Sequence, residues 1–303
     1  MANVRQATGN CSGQKVRKFN LKYMYSNACS IINKFVALEA MVCNYEPDVI
    51  GIAESWAHDG IDGSEIALKG YDLFRCDRQV NVRGGGVLLY VKHGLGAVQV
   101  NVNTEFPEHV WCRLKVKGFE SLLIGVCYRT PTERIYDINL HDKLRDLVRQ
   151  VADKNLVLMG DFNYRNIDWE QLCNNGGGTE EGKFLECVED CLLTQHVHCL
   201  TTRQSTLDLV FTQEPDLVSE VQDLGPFDSS DHHLLMWVIN RSYDDDTACK
   251  KVYEYSKMDT VGIKNEMVKV DWQVLNQGSV DEAWNVLKAV SYTHLTLPTI
   301  LRV

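Results

Sequence analysis

The sequence predicts an α/β fold of two packed β-sheets flanked by helices. Two observations carry that reading: short β-rich runs follow one another closely enough to form hairpins, and amphipathic segments of helical length interrupt them. A third is composition. The chain has 303 residues, 45% of them hydrophobic and 24% charged, which is enough apolar material to bury a sizeable core without disulfides. Disorder is thereby excluded as the main state. No apolar run reaches the roughly 18 residues of a membrane span.

Taken in order, residues 1–18 are expected to form a flexible N-terminal arm. FNLKYMY then reads as a strand, IINKFVALEAMVCNY as a helix and DVIGIAE as a second strand. The helix places Ile31, Phe35, Leu38 and Val42 on one face. GGVLLYV, AVQVNV, HVWCRLKV and SLLIGVCY are further strands, and Arg83-Gly84-Gly85-Gly86 is a loop, with no following helix to make it a phosphate cradle. INLHDKLRDLVRQVADK is helical and NLVLMG is a short buried strand. A helix around 179–194 and the strands TLDLVF and HLLMWVIN complete the pattern, which ends near Asn240. Residues 241–290 read as a polar linker and a helical connector, helical from 252. The Thr/Leu/Pro-rich residues 291–303 read as a non-native or disordered tail.

The N-terminal residues lack an apolar signal core, so an intracellular protein is expected, in the nucleus or cytoplasm and not secreted. The eleven cysteines are then expected to be reduced, with Cys29, Cys43, Cys112 and Cys127 packing as small hydrophobes. Cys187, Cys191, His196, His198 and Cys199 lie close in sequence but lack the C-x2-C spacing of common structural zinc sites. The one-turn spacing of Cys187 and Cys191 suits a buried helix face. Net charge is −10, unevenly spread: residues 1–135 carry 16 Lys+Arg against 13 Asp+Glu, and residues 136–303 carry 15 against 28. A nucleic-acid face on the N-terminal half is compatible with that asymmetry.

The chemistry gathers at strand ends. MYSNAC puts Asn27 after the first strand and IAESW puts Glu54 after the second. GVCYRTP and LMGDFN bring Tyr128, Arg129, Asp161 and Asn163 to the ends of two more. STLDLVF carries Asp208, and SSDHH puts Asp231 and His232 just before the last strand. Carboxylates at strand ends point at a common rim, where sheet sites are built. Converging there, they repel one another unless a divalent cation neutralises them, and Mg²⁺ suits oxygen ligands. A histidine beside an acid can hold a proton or polarise a phosphoryl oxygen.

YSNACSIINK, PDVIGIAESW, RGGGVLLYVK, GVCYRTP, VLMGDFN, STLDLVFT and SSDHHLL, in that order and spacing, resemble the endonuclease/exonuclease/phosphatase superfamily with its pancreatic-deoxyribonuclease-like (DNase I-like) fold. Within it they are most similar to the endonuclease domain of non-LTR, LINE-type retrotransposons of the jockey and chicken-repeat kind. The resemblance covers about residues 19–240. Residues 252–290 resemble the connector that precedes reverse transcriptase in such elements, and the chain looks like an element product truncated before the polymerase.

The resemblance implies a four-layer α/β (α+β) sandwich of two mixed β-sheets flanked by helices, and Mg²⁺-dependent phosphodiester hydrolysis, with Mn²⁺ as a substitute ion. Double-stranded DNA is the implied partner of a monomeric enzyme that nicks its target to leave a 3′-hydroxyl. Element RNA would be reached only through the missing polymerase, and no membrane is involved. By motif, Glu54 is the principal metal ligand with Asn27 beside it and Asp231 at the metal side. Asp161 orients or deprotonates the attacking water, Asn163 holds the scissile phosphate and Tyr128 contacts it. His232 stabilises the developing charge, its ring oriented by Asp208. Arg75, Arg78 and Arg129 are candidate phosphate contacts, and His233 a packing residue. Open alternatives are a phosphoesterase of the same fold acting on a small substrate, an abasic-site nuclease and a catalytically decayed element fragment. The segment around Asp208 lacks the P-x-W-C-D-R signature of inositol phosphatases.

Overall fold

A computed structural model describes residues 16–78, 84–114, 121–131, 137–152, 155–176, 178–244, 251–253 and 299–301. The site lies in the unit Val16–Tyr243. In chain order its elements are β1 (Val16–Asn27), α1 (Phe35–Tyr45), β2 (Val49–Ala53), β3 (Tyr71–Cys76), β4 (Val87–Lys92), β5 (Ala97–Gln99), β6 (His109–Leu114) and β7 (Leu122–Tyr128). Then come α2 (Leu140–Val151), β8 (Leu156–Asp161), β9 (Ile167–Asp168), β10 (Cys173–Asn174), α3 (Thr179–Asp190), β11 (Thr194–Gln195), β12 (Asp208–Thr212), β13 (Gln222–Pro226) and β14 (His233–Asp244).

Two six-stranded sheets form, in the orders β13-β14-β1-β2-β4-β3 and β11-β12-β8-β7-β6-β5. Both are mixed: β1 pairs parallel to β2 and β7 parallel to β8, while β2–β4 and β8–β12 are antiparallel. Strands buried on both faces read as continuous apolar runs, and VIGIA and LLIGVCY are buried throughout. The expected two packed sheets flanked by helices are what the chain builds.

Three apolar clusters correspond to the three interfaces of a four-layer stack. Between the sheets lie Tyr25, Val49 and Leu89 with Val126, Met159 and Val210. Ile31 and Leu38 cover the outer face of the first sheet at Met24, Ile50 and Tyr90. Leu144, Leu147 and Val148 of α2 and Phe184 of α3 cover the second sheet at Leu158 and Phe211. The buried residues of α2 recur at helical spacing, Leu140, Leu144, Leu147, Val148 and Val151. Each fully buried leucine of this kind contributes about 1.5–3 kcal/mol.

Several boundaries differ from expectation, each for a local reason. Residues 32–34 form a 3₁₀ turn before α1, and α1 ends at Glu46 in the left-handed region, where Pro47 stops it. α3 ends at Asp190, and Leu192 follows at φ 54°, so Thr194–Gln195 is strand instead of the end of a helix. β3 and β13 were not expected. Both are edge strands, β3 only half-buried and β13 largely exposed and closed by Pro226, so neither carries a strong apolar run. β1 starts at Val16, inside the expected arm, and β14 continues past residue 240 to Asp244.

In the second unit the described Lys251–Tyr253 and Thr299–Leu301 pair as an antiparallel ribbon, so residues 252 and 253 are strand where a helix was expected. The rest of the expected arm, connector and tail lies outside the described residues. The nine described cysteines are free. Cys112 and Cys127 are buried as expected, Cys43 is exposed, and Cys187 and Cys191 pack in the α2–α3 core. His196 bonds instead to Thr212 Oγ1 at 2.7 Å. No helix among the described residues is long and apolar enough to cross a membrane.

Gly160 lets β8 close on β7 immediately before Asp161: a Cβ there would lie 2.1 Å from the Cys127 carbonyl oxygen. Backbone cannot yield as a flexible side chain would. Gly160→Ala is therefore expected to destabilise the protein by about 1–3 kcal/mol or more and lower Tm by several degrees in thermal denaturation. An unchanged Tm would show that the strands separate there freely.

Candidate active site

Strand pairing assembles the site. Parallel β1 and β2 end together, Asn27 opposite Ala53, which delivers Asn27 and Glu54 to one rim. Parallel β7 and β8 end with Tyr128 opposite Asp161. Antiparallel β12 starts where β8 ends, so Asp208 stands directly across from Asp161. His232 closes the turn before β14, pinned by its carbonyl, which accepts from Phe227 N at 3.0 Å, and by Ser230 Oγ, which donates to Asn27 O at 2.8 Å.

Asp161, Asp208 and His232 are all buried, and their ligand atoms lie within 4.8 Å of one another. His232 Nδ1 is 2.7 Å from Asp208 Oδ2, which directs Nε2 toward Asp161 Oδ2, 3.9 Å away. Asp208 is held in turn by Tyr25, whose hydroxyl reaches across the two sheets to Oδ1 at 3.0 Å. Asn27 Nδ2 donates to Asp161 Oδ2 at 2.9 Å and to Glu54 Oε1 at 3.3 Å. Tyr128 Oη and Trp56 Nε1 complete the Glu54 shell at 2.8 and 3.0 Å. Asp231 is exposed at the edge, its Oδ1 3.6 Å from Cys29 Sγ.

Electrostatics follow from this crowding. Burial, and then the Asp208 charge, raise the Asp161 carboxyl well above the carboxylate range, against the opposing pull of His232 and the Asn27 hydrogen bond. Burial by itself would strip the His232 proton. The charge and hydrogen bond of Asp208, then Asp161 and Asp231, outweigh it and hold the imidazole well above its ordinary value. The cluster is oxygen-rich and short of positive charge, which is the donor chemistry of a hard divalent cation. Asp208 and His232 satisfy one another, so the side facing Glu54, Asn27 and Asp161 fits such an ion best.

The loops around it are held in uncommon backbone conformations. Cys29, Ser30, Glu54, Trp56 and Asn163 have φ of 43°, 86°, 46°, 56° and 54°. Clustering of left-handed non-glycine residues is characteristic of functional sites. Hydrogen bonds zip these turns together: Ser30 N to Glu54 O, Ile31 N to Ser55 O, Ser55 N to Gly86 O and Trp56 N to Gly85 O, at 2.9–3.0 Å. The glycine run is thus a support for the Glu54–Trp56 turn. A Cβ on Gly86 would stand 2.7 Å from Ser55 Oγ.

The three arginines expected to meet phosphate are placed elsewhere or engaged within the protein. Arg129 is 1% exposed, donates to the carbonyls of Phe162, Asn163 and Thr130, and lies 4.2 Å above the Tyr164 ring. It therefore scaffolds the Asp161–Asn163 turn from beneath. Arg75 pairs with Asp77 and donates to Ile61 O and His58 O. Arg78 pairs with buried Glu108, donates to Thr130 and sits 5.6 Å over the Tyr128 ring, so it braces the tyrosine that holds Glu54. Tyr128 itself donates to Glu54. Asn163 Nδ2 donates to Arg129 O at 2.8 Å, and its residue lines the cavity. His233 bonds Asp223 at 2.8 Å, away from the triad.

A cavity of about 890 Å³ opens over the cluster, lined by Glu54, Asp161, Asp231 and His232 and also by Arg165 and Arg203. Sequence reasoning missed both arginines, along with Trp56 and Tyr25. Neither arginine sits in an apolar strand motif, and the tyrosine acts across a sheet-to-sheet gap that no linear pattern records.

Residues 122–236 match the family described as endonuclease-reverse transcriptase. No curated protein matches the sequence. Among solved structures, the endonuclease domain of TRAS1, a telomere-specific non-LTR retrotransposon, is similar with a TM-score of 0.56 at 16% identity, over 73% of this chain and 98% of that one. The AP endonuclease LMAP from Leishmania major has a TM-score of 0.60 at 14% identity, over 73% and 88%. The 3′ phosphatase NExo from Neisseria, bound to a product DNA hairpin, has a TM-score of 0.54 at 16% identity, over 72% and 98%. The fold is DNase I-like, and the chain resembles the endonuclease domain of non-LTR retrotransposons.

Proposed function

From that fold and that site, we propose that this chain is a Mg²⁺-dependent endonuclease that nicks double-stranded DNA and leaves a 3′-hydroxyl, as retrotransposon integration requires. One observation carries the reading: the oxygen cluster of Glu54, Asn27 and Asp161 stands beside a buried Asp208–His232 pair on one rim. The likeness to TRAS1 and the match to the endonuclease-reverse transcriptase family support it.

Glu54 and Asn27 would hold Mg²⁺, with Asp231 at its open edge and Mn²⁺ as a substitute. When bound, the ion neutralises charge on the phosphate and its leaving oxygen. Asp161 orients the attacking water and accepts its proton through Oδ1 or Oδ2. Asn163, locked by its bond to Arg129 O, offers its second amide N–H to a phosphoryl oxygen. His232 presents a protonated Nε2 to the same group, with Asp208 fixing its ring. Phosphoryl transfer needs such positioning and charge more than covalent catalysis. A monomer acting on DNA inside the cell, in nucleus or cytoplasm and apart from membranes, fits this role.

The test is supercoiled plasmid incubated with the full chain in Mg²⁺ or in EDTA, with nicks probed by polymerase extension. Metal-dependent relaxed circles that prime synthesis are expected. The likeness to a 3′ phosphatase defines the competing result: phosphate release from a small phosphoester with the plasmid left intact would replace this reading with that one.

A further inference from the structure

We propose that Arg165 and Arg203 form a one-sided clamp that binds the phosphates flanking the scissile one in a DNA duplex. The proposal rests on the nuclease reading and assigns how its substrate is held. Both arginines line the catalytic cavity and both are exposed. Among the described residues neither makes an ion pair or hydrogen bond, although Glu54, Asp161 and Asp231 line the same cavity. Two free cations beside an acidic cluster are a receptor for an anion that spans both.

The turns that carry them are tied down. Arg203 rides on a closed turn in which Thr201 N and Thr202 N donate to Ser205 O at 3.2 and 3.1 Å, and Ser205 N returns to Thr202 Oγ1 at 3.2 Å. That turn is tied to the catalytic pair: Thr201 Oγ1 accepts from Asp208 N at 3.1 Å, and Thr201 O accepts from His233 N at 2.9 Å. Arg165 follows Tyr164, which is buried against Arg129, and Phe162 N is bonded to Leu207 O at 2.9 Å. The backbone that carries both arginines is therefore tied to the strands that carry Asp161, Asp208 and His232, and only the two side chains remain to be ordered on binding.

Both also come from loops of the second sheet, after β8 and before β12, while Glu54, Asn27 and Asp231 come from the first. A second cavity of about 350 Å³ shares Arg165, Gln204 and Ser205 with the first. A polynucleotide crossing the site can continue past Arg165 into that second cavity. A small phosphoester, reaching only the carboxylates and His232, would leave both arginines unused.

Fluorescence anisotropy of a labelled 20-base-pair duplex against the full chain carrying His232→Ala, which suppresses cleavage, measures the clamp directly. Adding Arg165→Ala with Arg203→Ala is expected to weaken binding at least tenfold at low salt. It should also make the slope of log affinity against log salt shallower by roughly 1.8, about 0.9 for each phosphate no longer neutralised. Arg165→Lys with Arg203→Lys should restore the slope, which a merely structural role would not require. An unchanged slope, a weakening that lysine does not restore, or no salt-dependent duplex binding by the parent would overturn the proposal. Failure of the nuclease reading shows separately, as an intact plasmid from protein whose duplex binding still depends on these arginines.

Discussion

His232→Ala is expected to lower the nicking rate about 10²- to 10³-fold while the protein stays folded. A single preorganised donor to a developing oxyanion carries about 2.7–4 kcal/mol of transition-state stabilisation, and His232 is the one cation within the buried trio with Asp161 and Asp208. Its protonation depends on Asp208, which supports a second expectation about the same group. Because the folded imidazole is held above its ordinary value, it stays charged through neutral pH, and activity falls as pH rises through that raised value. The same sign governs stability: this histidine stabilises the fold below its unfolded value, and the contribution is lost as pH climbs through the folded one. Asp208→Asn removes the charge that offsets burial. The alkaline limb of kcat/KM should then move at least about one unit toward acid. An identical alkaline limb in both proteins, or nicking that survives His232→Ala, would mean that another group handles the proton.

Mg²⁺ should bind more tightly as pH rises, and Glu54→Gln should abolish the response. Asp161 is raised by burial and by Asp208, so without a cation it retains its proton further toward neutral pH than an ordinary carboxyl. Binding a hard cation beside it requires the carboxylate, hence the release of a proton. The Mg²⁺ concentration giving half the maximal increase in Tm is therefore expected to fall from pH 6 to pH 8.5. The slope should approach tenfold per unit where Asp161 titrates. Asp161→Asn should flatten that dependence. Glu54→Gln removes the proposed ligand, a carboxylate held by Tyr128, Trp56 and Asn27, and should cost more than the 10- to 100-fold typical of losing an outer partner. A half-saturation point indifferent to pH, or a Glu54→Gln protein that responds like its parent, would remove the metal from this rim.

Much of this molecule could be read along the chain. β2, β7 and β8 are buried on both faces, so their runs are apolar throughout and unmistakable, and a polar residue ending such a run has only the rim to occupy. Glu54 and Asp161 were legible for that reason, and the order of the motifs that hold them with Asn27, Asp208 and His232 carried the family resemblance. α2 was legible because its buried leucines and valines keep helical spacing. The edge strands β3 and β13 were not, since a strand with one wet face leaves little apolar signal.

What the chain alone could not decide is which polar groups face one another once two sheets stack. Charge type is written in sequence, but pairing is a property of the packed state. Arg129 looked like a phosphate contact and became a buried strut, because the nearest acceptors in the fold are the carbonyls of the Asp161–Asn163 turn. That Tyr128 meets Glu54 is likewise a matter of which groups packing brings together. Tyr25 reaches Asp208 across 183 positions of sequence. Residue order set the site's chemical types and its rim, whereas sheet register and layer packing set its partners, protonation and free cations.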